Sequence, residues 1–165
     1  MAILAIDQGT SATKAIVVAD DGSVLGLAEC AVRVVASADG AVELDPEELW
    51  ASVIAAGEQA VSAAGSPTID AIGLANQGET VLAWDRATGS PHGRAIVWQD
   101  RRSAAVCDRL AAHADELAQL TGLELDPYFV APKVAWLRER VDASLAITTT
   151  DTWMLHRLCG VFVTD

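Results

Sequence analysis

The chain has 165 residues, 52% of them hydrophobic and only 5% aromatic, with a formal net charge of −12. That balance, without a Lys/Arg cluster, argues against nucleic acid or an anionic membrane surface as the main partner. No apolar run reaches the ~20 residues a membrane-spanning helix needs. Asp7 follows too closely on the first apolar run for a signal peptide. The expectation is a soluble cytoplasmic protein with one sizeable domain. Cys30, Cys107 and Cys159 are odd in number and widely spaced, so buried, reduced thiols are expected rather than a zinc site or a disulfide framework.

Two short runs rich in Ile, Val, Leu and Ala, Ala2 to Ile6 and Ala15 to Ala19, predict strands joined by a hydroxyl-rich bend. Asp21-Gly22 marks a second turn, and a third strand over Val24 to Val32 completes an antiparallel meander. Asp45-Pro46-Glu47-Glu48 then predicts a helix start, with Asp45 as N-cap, Pro46 in the first helical position and Glu48 placed for a capping box. Leu49, Trp50, Val53, Ile54, Ala60 and Val61 recur at helical spacing until Gly65-Ser66-Pro67. A buried strand over Ile69 to Ala75 runs into the polar NQGET, and strands follow at VLAWD and RAIVWQD, separated by a hairpin turn over Arg86 to Gly93. Helices are expected over Ser103 to His113, over Asp115 to Leu120 with Gly122 as a stop, and from Pro132. A short strand, an N-cap at Asp151 and a helix closed by Gly160 precede the strand-like VFVTD, where the chain reads as cut rather than finished.

Two loops carry chemistry. In the first, Gly9 permits close backbone approach to a ligand, and the backbone N–H groups and hydroxyls of Thr10, Ser11 and Thr13 suit phosphate oxygens. Asp7 is placed to hold Mg²⁺ and Lys14 to add positive charge, which would explain an acid at the end of a buried strand. An ordinary hairpin with Asp7 in an Asx-turn is the competing reading. The loop is not a Walker A sequence, since the spacing differs and a strand follows. In the second, Asn76, Gln77 and Glu79 lie past the carboxyl end of a strand, where open α/β sheets place ligand groups. Gln77 and Glu79 are suited to polyol hydroxyls and Trp98 to a carbon chain, against the alternative of a polar turn with Trp98 in the core. Core packing is expected for Trp50, Trp84, Trp136 and Trp153. His92, His113 and His156 share no metal-ligand spacing, no serine has a nucleophile-elbow context, and Asp100 sits in a polar turn without an evident partner.

AIDQGTSATKAIVVADDG, AIGLANQGETVLAWDRATGSPHGRAIVWQDRRS, TGLELDPYFVAPKVAWLRE and TTDTWMLHRLCGVFVTD occur in the order and spacing of the FGGY family of carbohydrate kinases, and the chain resembles its glycerol kinase branch throughout. The resemblance implies an α/β, actin-like ATPase (ribonuclease-H-like) domain: a mixed five-stranded sheet flanked by helices, with a small inserted β-hairpin. It implies that residues 1–165 are the N-terminal domain of an ATP- and Mg²⁺-dependent sugar or polyol kinase that phosphorylates a primary hydroxyl. Asp7 would be the metal-linked acid, and Gly9, Thr10, Ser11, Thr13 and Lys14 the first phosphate loop. Gln77, Gly78, Glu79, Trp98 and Tyr128 would line the acceptor site, Trp98 against the carbon chain and Glu79 and Tyr128 on hydroxyls.

Two departures from the family pattern stand out. Glycerol kinases usually read N-Q-R-E-T, so Gly78 occupies the position of a substrate-binding arginine and a larger acceptor becomes plausible. The family's catalytic aspartate and adenosine pocket belong to a later region, and the C-terminal nucleotide-binding domain is absent from this chain. The chain alone is therefore expected to be inactive, with a homo-oligomeric parent enzyme. The alternative is a non-catalytic actin-like domain that binds a ligand or partner.

Overall fold

The computed structural model describes residues 1–164 and divides them into two compact units, one of Met1–Val34 with Leu44–Gln77, the other of Val35–Glu43 with the chain from Gly78 on. Length predicts one domain of this size, and within it the chain forms two compact units, each with its own sheet. The first unit opens with β1 (Ala2–Gln8), β2 (Ala12–Ala19) and β3 (Val24–Ala31), the expected meander. The chain then makes two three-residue strands of the other sheet, β4 (Val34–Ala36) and β5 (Val42–Leu44), which are too short to leave a periodic signal. It returns as α1 (Pro46–Ala63) and β6 (Ala71–Asn76), and β6 lies parallel to β1. The sheet order is β3-β2-β1-β6, mixed as expected but with four strands rather than five.

Helix α1 starts where the sequence predicts, with the Asp45 carboxylate accepting from the backbone N–H groups of Glu47 (2.9 Å) and Glu48 (3.4 Å). Its buried stripe, Leu49, Val53, Ala56 and Ala60, covers the sheet face that carries Leu4, Ile6, Ala15 and Val17. A Cβ at Gly57 would lie 3.4 Å from Leu4 Cδ2, which fixes how closely α1 rides on β1. Asp45→Ala should cost about 1 kcal/mol, the usual worth of such a cap, and chemical denaturation will register it. The opposite face of the sheet carries Ile3, Ala5 and Asp7 of β1 in register with Val18, Ile16 and Lys14 of β2. It is open to solvent at its β3 edge, where Leu27 is 64% exposed.

In the second unit β7 (Val81–Trp84) pairs with β8 (Ala95–Ile96) on one side and with β9 (Ala146–Thr149) on the other, giving the order β4-β5-β8-β7-β9. The expected hairpin turn is present: Asp85 caps the backbone N–H groups of Ala87 and Thr88, and Trp84 bridges to Pro91. Helices α2 (Ala104–Leu110) and α3 (Ala114–Thr121) are joined by a single 3₁₀ turn over Ala111–His113, and Gly122 ends α3 with φ 74°. Helix α4 (Val130–Arg138) begins two residues before Pro132, a position in the first turn where proline loses no helical hydrogen bond. Val130, Val134 and Leu137 of α4 pack on Val81, Ile96 and Ile147. Helix α5 (Thr150–Cys159) has Thr149 rather than Asp151 at its N-cap position, because β9 runs directly into it.

Trp84 and Trp153 are fully buried as expected, each donating its indole N–H, to Thr148 Oγ1 and to the Gly89 carbonyl respectively, whereas Trp50 and Trp136 are half-buried. Trp136 packs against the Val81, Ile96 and Leu137 cluster and also meets the guanidiniums of Arg102 and Arg140. Residues 161–164 form no strand, contrary to expectation; their apolar side chains supply contacts such as Phe162 on Trp84 instead of ladder pairing. Of the cysteines only Cys107 is buried; Cys30 is half-buried and Cys159 exposed, at the end of α5. No helix among the described residues is long and apolar enough to cross a membrane.

Candidate functional site

The bend between β1 and β2 is closed by the Gly9 N–H donating to the Ala12 carbonyl at 2.9 Å. A Cβ at Gly9 would stand 3.0 Å from that carbonyl oxygen, so the turn is already as tight as a side chain would permit. Strand alternation decides which residues face outward. Gln8 and Thr13 point in and are fully buried; Asp7 and Lys14, opposite one another in register, point out and are exposed. Exposure by itself removes the desolvation cost that made Asp7 seem to require a metal. The Thr13 hydroxyl is spent on Ser52 of α1 at 2.7 Å, and Ser52 in turn donates to the Leu49 carbonyl. Thr13 thereby anchors the turn to α1.

Gln77 also belongs to this turn. Its backbone N–H donates to the Gln8 carbonyl at 2.9 Å, its amide lies 3.4 Å from Gln8 Oε1, and Thr10 Oγ1 donates to its side-chain oxygen at 3.3 Å. The sequence grouped Gln77 with Gly78 and Glu79, but the chain divides after Gln77, and this glutamine braces the first loop. Among the described residues no three His, Cys, Asp or Glu side chains are grouped to hold a metal. A lone exposed carboxylate such as Asp7 suits Mg²⁺, which keeps several waters and takes its remaining ligands from phosphates.

In the second unit, Trp98 and Tyr128 meet with ring centroids 5.5 Å apart and planes tilted by 60°. Trp98 is half-buried and Tyr128 is 40% exposed, so the pair presents ring surface outward. Glu79, just before β7, lines an open hollow of about 600 Å³ with Phe129, Val130, Val134 and Arg138. Its Oε2 is buried without a hydrogen-bond partner among the described residues. Gly78 is exposed, with nothing within 4 Å of where a Cβ would stand.

Two residues to which the sequence assigns no role shape this region. Asp100, for which the sequence names no partner, is buried and engaged: it accepts from the Val42 N–H at 2.9 Å and from Arg102 Nη2 at 2.7 Å, while Arg102 also reaches Glu43 at 2.7 Å. One partner, Val42, is 58 residues away in the chain; the other, Arg102, is two residues on. Lys133 is fully buried on α4 and donates to the carbonyls of Tyr128 and, at 3.1 Å, Phe129. A lone cation inside the apolar VAPKVAWL was the signal that could have found it.

The model for the FGGY family of carbohydrate kinases, N-terminal domain, matches residues 2–165. The chain belongs to that family. It is 45% identical over 170 residues to the glycerol kinase of Trichlorobacter lovleyi, covering 96% of this chain and 34% of that protein. It is 47% identical over 171 residues to that of Alkalilimnicola ehrlichii, with the same coverage. The solved glycerol kinase of Plasmodium falciparum with ADP superposes with a TM-score of 0.86 at 29% identity, covering 95% of this chain and 34% of that one. A xylulose kinase from Rhodospirillum rubrum shares the fold, with a TM-score of 0.89 at 22% identity, covering all of this chain and 35% of that one. The FGGY chain thus spans about a third of the length of the curated relatives it matches.

Proposed function

We propose that this chain is the N-terminal, acceptor-binding and first-phosphate-loop domain of an ATP-dependent kinase that phosphorylates a primary hydroxyl of a polyol or sugar. The observation that carries the reading is the buried, unpartnered Oε2 of Glu79 in the same unit as the Trp98–Tyr128 ring pair. A buried acceptor without a donor is costly, and a polyol hydroxyl is a donor that would offset the cost. The ring surface suits the carbon chain that carries such hydroxyls. In the other unit, Thr10, Ser11 and the backbone N–H groups of the tight turn would hold phosphate oxygens, with Lys14 adding charge. Bound Mg²⁺, held by Asp7 through water, would neutralise charge on the phosphates.

The proton acceptor and the adenosine pocket are assigned to the remaining two-thirds of a protein of relative length. The same reading puts the parent enzyme in the cytoplasm as a homo-oligomer acting on a small molecule, without nucleic acid or membrane partners. Gly78 directs the acceptor choice: open space and a missing guanidinium at that point favour an acceptor bulkier than glycerol.

The test is phosphoryl transfer from ATP and Mg²⁺ to glycerol, erythritol, xylitol, xylulose and ribulose, on the chain extended to its natural stop codon. Turnover with one of the larger acceptors is expected, and Gly78→Arg should move the kcat/KM ratio about tenfold towards glycerol, the scale of one charge-assisted hydrogen bond. A folded protein that binds Mg²⁺-ATP and turns over none of them would favour the non-catalytic alternative.

A further inference from the structure

Lys133 is the side chain in the acceptor region whose burial has no packing explanation. A primary ammonium is among the groups least often fully buried, and it stays buried only when its protons are taken up. Here backbone oxygens take them: Lys133, in the first turn of α4, reaches back to the carbonyls of Tyr128 and Phe129, the two residues that lead into the helix. The same short segment is tied at its other end. The Tyr128 N–H donates to Asp126 Oδ1 at 2.7 Å, and Asp126 pairs with Arg101 at 3.0 Å. Tyr128 is therefore held on both sides of its own backbone while its ring stays 40% exposed against Trp98.

We propose that Lys133 is a positioning residue of the acceptor site, its ammonium fixing the backbone of Tyr128 so that the ring holds its angle to Trp98. This rests on the kinase reading only for the identity of what binds there. The groups that act on the ammonium are the carboxylates of Glu79, Asp100 and Asp126 and the Cys107 thiol; burial pushes its pKa down to about 8, and those neighbours hold it up against that trend. At neutral pH the lysine is mostly charged and the tie is intact. Above pH 8 it progressively loses its proton, leaving two donors in place of three and no net charge.

Tyr128 is the chain's only tyrosine, which makes the tie directly observable. Tyrosine labelled with ¹³C at the carbonyl carbon gives one carbonyl resonance in the 165-residue chain, and its shift between pH 6 and 9 should follow a single titration with a midpoint near 8. Lys133→Met should abolish that titration. Glu79→Gln, which leaves Lys133 and its hydrogen bonds in place, should move the midpoint lower by removing a neighbouring negative charge. A Tyr128 carbonyl resonance at the same shift in Lys133→Met as in the unaltered chain at pH 7 would overturn the proposal, because the ammonium donates to that oxygen. Ring-labelled Tyr128 then follows added erythritol or xylitol. Affinity about tenfold weaker in Lys133→Met is the expected result, and equal affinity would overturn the positioning role. A normal titration without any response to polyols supports the tie to Tyr128 and counts against the polyol reading alone.

Discussion

Gly26→Ala should destabilise the four-stranded unit by about 3 kcal/mol or more, at the upper end of what overpacking costs. A Cβ at Gly26 in β3 would fall 2.3 Å from the Ala60 carbonyl oxygen and 2.6 Å from the Ala64 nitrogen. Both atoms belong to the last turn and cap of α1, where the Ala64 N–H donates to the Ala60 carbonyl at 3.0 Å. Neither can rotate aside as a side chain would, so the helix must lift from the sheet or the strand must bend away. The register between β2 and β3 shifts at the same place: Val17 faces Gly26 while Val18 faces Val24, leaving Leu25 unopposed. Gly73→Ala in β6 is the control, since nothing lies within 4 Å of its Cβ position. Urea denaturation followed by amide hydrogen exchange of β1 to β3 measures both variants. A loss below about 1 kcal/mol for Gly26→Ala would mean that α1 does not ride this close to β3.

On the kinase reading proposed above, Asp7→Ala should lower kcat of the chain extended to its stop codon about 10²- to 10³-fold, the range found when one group that stabilises developing charge is removed, with stability changed by less than about 0.5 kcal/mol. The two effects separate because the Asp7 side chain is exposed on the open face of the sheet. Initial rates at saturating ATP and Mg²⁺ provide the first number and thermal unfolding the second. Retention of activity within tenfold would reduce Asp7 to a solvated strand-end residue opposite Lys14.

What the sequence disclosed follows from the range over which each signal acts. The meander, the Asp45 cap and the Gly122 stop were legible because each is written within a few consecutive residues. β4 and β5 were not, because three residues carry no period, and they are strands only by virtue of partners supplied by tertiary structure. Within the site, the residue types were legible but their directions were not. Thr13 and Gln77 have the chemistry of ligand groups, yet strand alternation turns one towards Ser52 and the division of the chain after Asn76-Gln77 gives the other to Gln8 and Thr10. Asp100 and Lys133 escaped because their meaning lies in burial: Asp100 is drawn inward to the Val42 N–H as well as to its near neighbour Arg102, and Lys133 to backbone carbonyls, and no pattern of residue types announces burial.

The uneven distribution of aromatic rings between the two units decides what an optical experiment sees. Of the five tryptophans, one tyrosine and two phenylalanines, only Trp50 lies in the first unit. Intrinsic fluorescence of this chain is therefore dominated by the second unit and reports little of the first. A fluorescence melt would follow the Trp84 and Trp153 core while β1 to β3 changed almost unseen, and coincidence with far-ultraviolet circular dichroism becomes the informative comparison. The two signals would superimpose only if the bodies lose their structure together.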